Sequence, residues 1–528
     1  MLPTVIPNEK LKKKPKKLKA IALGLFVFIW ILINVFVIPQ MPHWSFKYVL
    51  ALLLGNLCIG IAGAYLYFLG YVAAHLESFS RYYRRTFWLL GLALLVVPFF
   101  FILHVPDSAH NWDFFQLYRN ITTLKGASFS HLPVNQHYGD LSGLMYYWTY
   151  PNQQFYAILL NRFFGPMTNL FPPIWAMTFV GGLLTSASVL GMSRIVRLLS
   201  SEKVATLFNV AAFGFGPFFV FGALLYTDTA TLPFVVFGLL FMLWALRKTE
   251  WQKRLLWWGL ALVLIFVGYL IKPTVAIILV AALLWLVLEK RWRELLLVIP
   301  LALVLFVAVD TGGKAVIASE PAFSQQKNET YNLPLWHWVT MSFAPDNKTG
   351  GYNHAVLIYS MSYEGKAAKT KADQALLIKN LQKEGVSGVL LQLWRKIVYT
   401  WFNGDLNDFF YTYRHANPFV NTFFDFTTWE PNKAVGNLPG WLLTRASQMF
   451  YWFLMLPFLF YEIGLSLWKK RHSEWFILAL SVVGLTGFLL LWEANSRYLY
   501  NFSPVLIALA VMGLIDFLSG RKKHDLSD

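Results

Sequence analysis

Charge is scarce in this sequence, and cysteine is all but missing. Only 14% of the 528 residues are charged and 57% are hydrophobic, a balance that excludes an ordinary soluble globular chain and makes lipid the expected solvent. Acidic residues are the scarcer kind: 27 Asp and Glu stand against 45 Lys and Arg, a formal net charge of +18. In a soluble protein that excess would point to nucleic acid. Here no basic patch is interleaved with a nucleic-acid reader motif, so no nucleic-acid partner is expected, and the excess fits loops facing anionic lipid headgroups. The single cysteine, Cys58, sits in an apolar run, which excludes an internal disulfide and a thiolate metal site. His104, His110, His131 and His137 lack the H-x-x-x-H and H-E-x-x-H spacings, so no metal or other cofactor is expected, with a divalent ion the minor alternative.

What is abundant is apolar sequence in runs of spanning length, at 20–39, 47–75, 87–105, 173–197, 204–223, 229–246, 255–271, 274–289, 295–310, 447–467, 474–492 and 498–518. Each approximates the ~17–25 residues that a bilayer requires, which predicts an all-α polytopic membrane protein of about twelve transmembrane helices. The first run follows the lysines of 10–19 and has no small-residue cleavage site, so it reads as an uncleaved span. Placing the amino terminus in the cytoplasm fixes every later loop by alternation. Arg81, Arg84 and Arg85, then Arg194 and Arg197, Arg247 to Arg254, Lys290 to Arg293, Lys469 to Arg471 and Arg521 to Lys523 then all fall on the cytoplasmic side. Both termini are therefore expected in the cytoplasm.

Four regions follow. Residues 1–86 hold a basic tail and two helices, and 87–310 a transmembrane core with a long extracytoplasmic loop at 106–171. Residues 311–446 form an extracytoplasmic helical cap, and 447–528 three helices and a short basic tail. Within the long segments, 155–164 is expected to be an interfacial helix, and 371–383 and 386–401 helices lying on the membrane surface. Pro217 and the glycines around it are a candidate helix interruption.

The ionisable residues near helix ends are unevenly distributed. Asp107, Asp113, Asp228, Lys272, Glu493 and Arg497 all fall on the extracytoplasmic side. Charges at that depth are costly unless paired or hydrated, so a cluster of both signs on one face marks a candidate site. A carboxylate there can take a proton from a hydroxyl nucleophile, while Lys and Arg neutralise a phosphate leaving group. Trp112, Phe114, Phe115 and Tyr118 surround Asp113 in sequence, and aromatic faces suit sugar rings. Plainer readings stand beside each residue: Asp107, Asp113 and Asp228 as helix caps, Lys272 snorkelling to the interface, Glu493 and Arg497 as a local ion pair. At the level of the whole chain the alternatives are a transporter or lipid-linked-sugar flippase, which would favour inverted repeats and midplane charges, and a noncatalytic partner in envelope assembly.

The loop running from Pro106-Asp107 through Trp112-Asp113-Phe114-Phe115 to Gly126, followed by Tyr150-Pro151-Asn152-Gln153, resembles the first catalytic loop of bacterial GT-C glycosyltransferases related to the protein mannosyltransferases. Tyr226-Thr227-Asp228-Thr229, Ile271-Lys272-Pro273-Thr274, Thr349-Gly350-Gly351-Tyr352-Asn353 and Glu493-Ala494-Asn495-Ser496-Arg497-Tyr498-Leu499 occur in the order seen in Gram-positive members of that group. The resemblance starts near residue 87 and runs to the end. It implies a GT-C-like fold and a hexosyltransferase of the bacterial plasma membrane, with an extracytoplasmic active site. The enzyme would pass a sugar from a polyprenyl-phosphate donor to a cell-surface acceptor, usually with inversion. It also implies an acidic base in the first loop, where the spacing to Gly126 favours Asp113, with Asp107 second. Lys272 and Arg497 would then meet the donor phosphate, and Trp112, Tyr150, Asn152, Asp228, Glu493 and Tyr498 would bind or support substrate. The tandem acidic pair of the protein mannosyltransferases is absent, which leaves glycopolymer, teichoic acid, glycolipid and protein open as acceptors.

Overall fold

The computed structural model describes residues 24, 26–35, 38–40, 46–100, 112–134, 141–408, 429–430, 435–436, 438–469 and 472–524. Asp107, His104, His110, His137 and the basic amino-terminal tail lie outside the described residues. The protein is all-α, as expected. Its two named strands are the antiparallel pair Trp429–Glu430 and Val435–Gly436. The chain begins with α1 (Phe26–Val35), α2 (Phe46–Ala74) and α3 (Tyr83–Val96). The first long loop carries α4 (Asp113–Leu124), α5 (Gly143–Thr149) and α6 (Gln154–Phe164). Then come α7 (Pro173–Leu199), α8 (Glu202–Phe213), α9 (Pro217–Phe221), α10 (Thr227–Leu246), α11 (Trp251–Ile271), α12 (Ile277–Leu288) and α13 (Trp292–Ala318). The second long segment holds α14 (Gln325–Tyr331), α15 (Leu335–Ser342), α16 (His354–Met361) and α17 (Lys366–Trp401), before α18 (Leu438–Trp468), α19 (Trp475–Leu491) and α20 (Ser503–His524).

Among the described residues each apolar run overlaps helix, and seven helices are long and apolar enough to cross a membrane, with three shorter apolar ones beside them. Burial separates centre from periphery. The apolar windows of α10 and of the segment from Ser496 to Leu518 are each 72% buried in the protein, against 11% for α13, so α10 and α20 form the axis and α13 offers most of its surface to lipid. Lipid supplies no hydrophobic drive between helices, and close backbone approach must provide the contact. At Gly513 in α20 a side chain would bring its Cβ within 2.0 Å of the Phe458 carbonyl oxygen of α18.

The fifth apolar run is not one helix. It breaks at Gly214-Phe215-Gly216 into α8 and α9, where Pro217 has no N–H to continue the ladder. A bilayer offers no water for the carbonyls around such a break. Backbone N–H groups of Phe218 and Phe219 meet Phe215 O and Gly216 O at the break, Tyr451 donates to Ala211 O at 2.7 Å before it, and in the turn that follows α9 Thr229 donates to Phe221 O at 3.0 Å, Thr178 to Ala223 O at 3.1 Å and Tyr156 to Leu225 O at 2.8 Å.

The described parts of both long segments are mainly helical, and the two segments are joined to each other. Gln154 and Asn328 exchange amide hydrogen bonds of 2.7 and 3.2 Å. The Glu320 carboxylate accepts from Phe129 N at 3.2 Å and Ser128 Oγ at 3.0 Å, and Trp148 Nε1 donates to Ala322 O at 2.7 Å. α17 is interrupted at Gly385, whose φ of 63° and ψ of −176° lie outside the helical region, the point at which the charged stretch gives way to the apolar one. Beyond it, Lys396 crosses to the end of α19, where it donates to Leu490 O at 2.5 Å, Trp492 O at 2.9 Å and the Ser342 hydroxyl. A cation at a helix C-terminus complements both the unpaired carbonyls and the helix dipole.

Candidate active site

Four separated stretches meet at one end of the bundle. Asp113 is the first residue of α4, and Trp112, in the N-cap position, makes no side-chain capping bond. The Asp113 carboxylate is held from across the fold: Tyr146 of α5 donates to Oδ1 at 3.1 Å and Tyr226 to Oδ2 at 3.0 Å. Gln153 Nε2 donates to the Tyr226 hydroxyl at 3.3 Å, which commits the phenolic proton to Asp113. One donor on each oxygen fixes the plane of the carboxylate and leaves lone-pair capacity on both.

Asp228 does not cap its helix. Tyr226 occupies the N-cap of α10, and the buried Asp228 carboxylate in the first turn meets two cations. Lys272 Nζ bonds Oδ1, and Arg497 Nε lies 3.4 Å from Oδ2. Lys272 reaches this place because it ends α11 in an extended conformation enforced by Pro273, and Asn501 of the segment before α20 holds the corner through Thr274 Oγ1 at 3.1 Å. It does not snorkel, since its side chain is only 13% exposed. Arg497 lies in a short 3-10 turn, Ser496–Phe502, capped by Asn495 Oδ1 on Arg497 N at 3.0 Å. Its guanidinium rests over the rings of Trp112 at 4.9 Å, Tyr226 at 5.2 Å and Tyr498 at 5.7 Å, and Lys272 Nζ is 4.8 Å from the Tyr498 ring. Aromatic faces stabilise such cations while excluding water.

The local Glu493–Arg497 pair gives way to a longer connection. Glu493 accepts from the Tyr498 hydroxyl at 3.0 Å, while Arg497 turns to Asp228. Burial pushes the Glu493 carboxyl up to about 7, with Asp113 adding to the rise and Tyr498, Arg497 and Lys272 opposing it. The second long segment contacts this stretch. Ala494 N donates to Gly350 O at 2.8 Å, and Gly350 takes a φ of 71° with no room for a Cβ, which would meet Lys396 Cγ at 2.6 Å. Tyr150 sits between Tyr146 and Trp338, with ring centroids 5.3 and 5.7 Å away.

The structure therefore brings together Trp112, Asp113, Asp228, Lys272, Glu493, Arg497 and Tyr498, with Tyr150 beside them. Asn152 stands apart: it is exposed, and its side chain makes no hydrogen bond among the described residues. Sequence reasoning passed over Tyr146, Gln153 and Lys396. Gln153 and Tyr226 were visible within Tyr150-Pro151-Asn152-Gln153 and Tyr226-Thr227-Asp228-Thr229, but nothing in those strings tells a phenol that bonds a carboxylate from one that packs. No group of three or more His, Cys, Asp or Glu able to hold a metal ion occurs among the described residues.

The family model described as conserved hypothetical integral membrane protein matches residues 137–516. The chain belongs to that family. The match takes in the Asp228, Lys272 and Arg497 segments and begins after Asp113. No curated protein matches in sequence. Among solved structures the chain is similar to the archaeal oligosaccharyltransferase AglB from Archaeoglobus fulgidus, in complex with an inhibitory peptide and a dolichol-phosphate, at 13% identity and a TM-score of 0.39, covering 85% of this chain and 52% of that one. The chain thus spans about half the length of that protein. It is also similar to ArnT from Cupriavidus metallidurans bound to undecaprenyl phosphate, at 12% identity and a TM-score of 0.35, covering 81% of this chain and 77% of that one.

Proposed function

We propose that this protein is a membrane glycosyltransferase that moves a sugar from a polyprenyl-phosphate donor to a hydroxyl of a cell-envelope glycopolymer, glycolipid or protein at the outer face of a bacterial plasma membrane. The observation that carries the reading is the meeting of a doubly hydrogen-bonded carboxylate, Asp113, with two buried cations, Lys272 and Arg497, delivered by separate helix ends. That combination supplies both things a glycosyl transfer from phosphate needs. Asp113 takes the proton from the acceptor hydroxyl as its oxygen bonds the anomeric carbon, and the bond from that carbon to the phosphate oxygen breaks on the opposite face, inverting the centre. Charge grows on the departing phosphate, where Lys272 and Arg497 counter it in a water-poor setting. Tyr146 and Tyr226 hold the base in one orientation, and positional restraint of this kind lowers the barrier by removing misaligned states. The transporter reading draws on the α8–α9 break, but the carbonyls there are already bonded by Thr178, Thr229, Tyr156 and Tyr451.

The test is transfer of radiolabelled hexose from a polyprenyl-phosphate donor by purified protein in nanodiscs, with membrane envelope extract as acceptor. Asp113→Asn is expected to lower turnover by about 100-fold to 10,000-fold. Lys272→Met and Arg497→Met are expected to lower turnover more than donor binding. Full activity in Asp113→Asn would remove the assigned base.

A further inference from the structure

Asp228 has no task in the transfer step, yet it is the residue that both cations contact. Its side chain is 3% exposed, and it offers one carboxylate oxygen to each cation: Oδ1 to Lys272 Nζ and Oδ2 to Arg497 Nε. Two oxygens on one planar anion, each facing a different cation, reproduce what two non-bridging oxygens of a phosphate would present. Among the described residues the other acids of the cluster are engaged elsewhere: Asp113 accepts from Tyr146 and Tyr226, and Glu493 accepts from Tyr498. Removing one partner of a buried ion pair leaves an uncompensated charge at a large cost. Without Asp228 the two cations would therefore repel each other and draw in water, and the site would have to be reassembled each time a donor arrived.

We propose that Asp228 is a built-in stand-in for the donor phosphate, a positioning residue that holds Lys272 and Arg497 together until a phosphate anion takes them over. This rests on the assignment of the two cations to the phosphate. Binding is then an exchange in which Lys272 and Arg497 turn from the carboxylate to the phosphate, and the displaced carboxylate stays close by. Its negative charge opposes the anion. That opposition weakens binding, and it acts most strongly on the more highly charged monoester left after sugar transfer, so Asp228 also promotes release of the spent carrier.

Two opposing consequences separate this role from a purely structural one. Asp228→Asn should be less stable than the parent protein, yet should bind a phosphate monoester more tightly, by about tenfold or more for removal of one like charge at contact distance. A structural role predicts lower stability with weaker or unchanged binding. The experiment is calorimetric titration of the full-length protein in nanodiscs with farnesyl phosphate, inorganic phosphate and farnesol. Tighter binding of both anions by Asp228→Asn supports the exchange. A gain larger for farnesyl phosphate than for inorganic phosphate identifies a lipid-linked ligand, and equal gains identify the free anion. No gain for either anion, or a gain for farnesol, overturns the proposal.

Lys272→Met and Arg497→Met in the parent background provide the separation from the underlying reading. If they bind farnesyl phosphate as the parent does, the phosphate assignment falls and this inference with it. If they lose binding while Asp228→Asn gains none, only the stand-in role is wrong. Should Asp228→Asn not insert, infrared difference spectra of the parent protein decide the matter: farnesyl phosphate must shift a carboxylate stretch that Asp228→Glu relocates, and an unchanged carboxylate region overturns the proposal.

Discussion

Glu493 offers a perturbation whose sign and size follow from its surroundings. The side chain is buried, accepts one hydrogen bond from Tyr498 and lies in the fields of Arg497, Asp113 and Lys272, with Lys396, Tyr150 and Tyr352 also feeling its charge. Its carboxyl stands at about 7 in the folded protein against an ordinary 4.5, burial being the largest cause. The folded state thus holds a proton that the unfolded chain gives up in between. The stability contributed by the protonated form is fully present below about 4.5 and is lost as pH rises through about 7. Glu493→Gln keeps the size and a hydrogen-bonding head but cannot ionise. Parent and variant should therefore melt alike at pH 4.5 and separate as pH rises, the variant becoming more stable by up to about 3 kcal/mol at pH 8. For a chain of this length that corresponds to a few degrees, about 3 °C, in the thermal midpoint. Melting curves in nanodiscs at half-unit intervals from pH 4.5 to 8 measure it. Parallel curves across that range would refute the reasoning.

Two further outcomes are expected. Lys396→Met leaves Leu490 O, Trp492 O and the Ser342 hydroxyl without their shared donor. Loss of a charged buried hydrogen-bond donor costs about 1.5–3 kcal/mol per bond, so hydrogen exchange at pH 6 should speed up in 342–352 and at the end of α19 while the interior of α10 is unchanged; uniform acceleration would mean global destabilisation. In a Cys58→Ser background, cysteine at the exposed Lys348 should react with an impermeant maleimide in intact cells and cysteine at Lys253 only after permeabilisation; the reverse pattern would invert the topology and move the site to the cytoplasm.

Composition and the length of the apolar runs were enough to read the lipid setting, the helical class, the approximate places of the long helices and most of the residues that the fold gathers around Asp228. A bilayer imposes a one-dimensional rule, that some twenty consecutive residues be apolar, and such a rule can be read by summation along the chain. The interruption near Pro217 was legible because proline acts on its own backbone, and the change within α17 because the charged stretch gives way to an apolar one in the sequence itself. The partners were not legible. Local spacing suggested that Glu493 would pair with Arg497 and that Asp228 would cap its helix, yet Arg497 meets Asp228 from the far end of the sequence and Glu493 meets Tyr498. Nor could the sequence single out Tyr146 among its 25 tyrosines as the one bonding Asp113 Oδ1, or Lys396 among its lysines as the link between α17 and the end of α19. Ion-pair and hydrogen-bond energies depend on separations of a few ångströms through space, and many pairings of the same residues satisfy the same pattern. Only the packing of α4, α10, α11 and the segment before α20 around one point chooses among them.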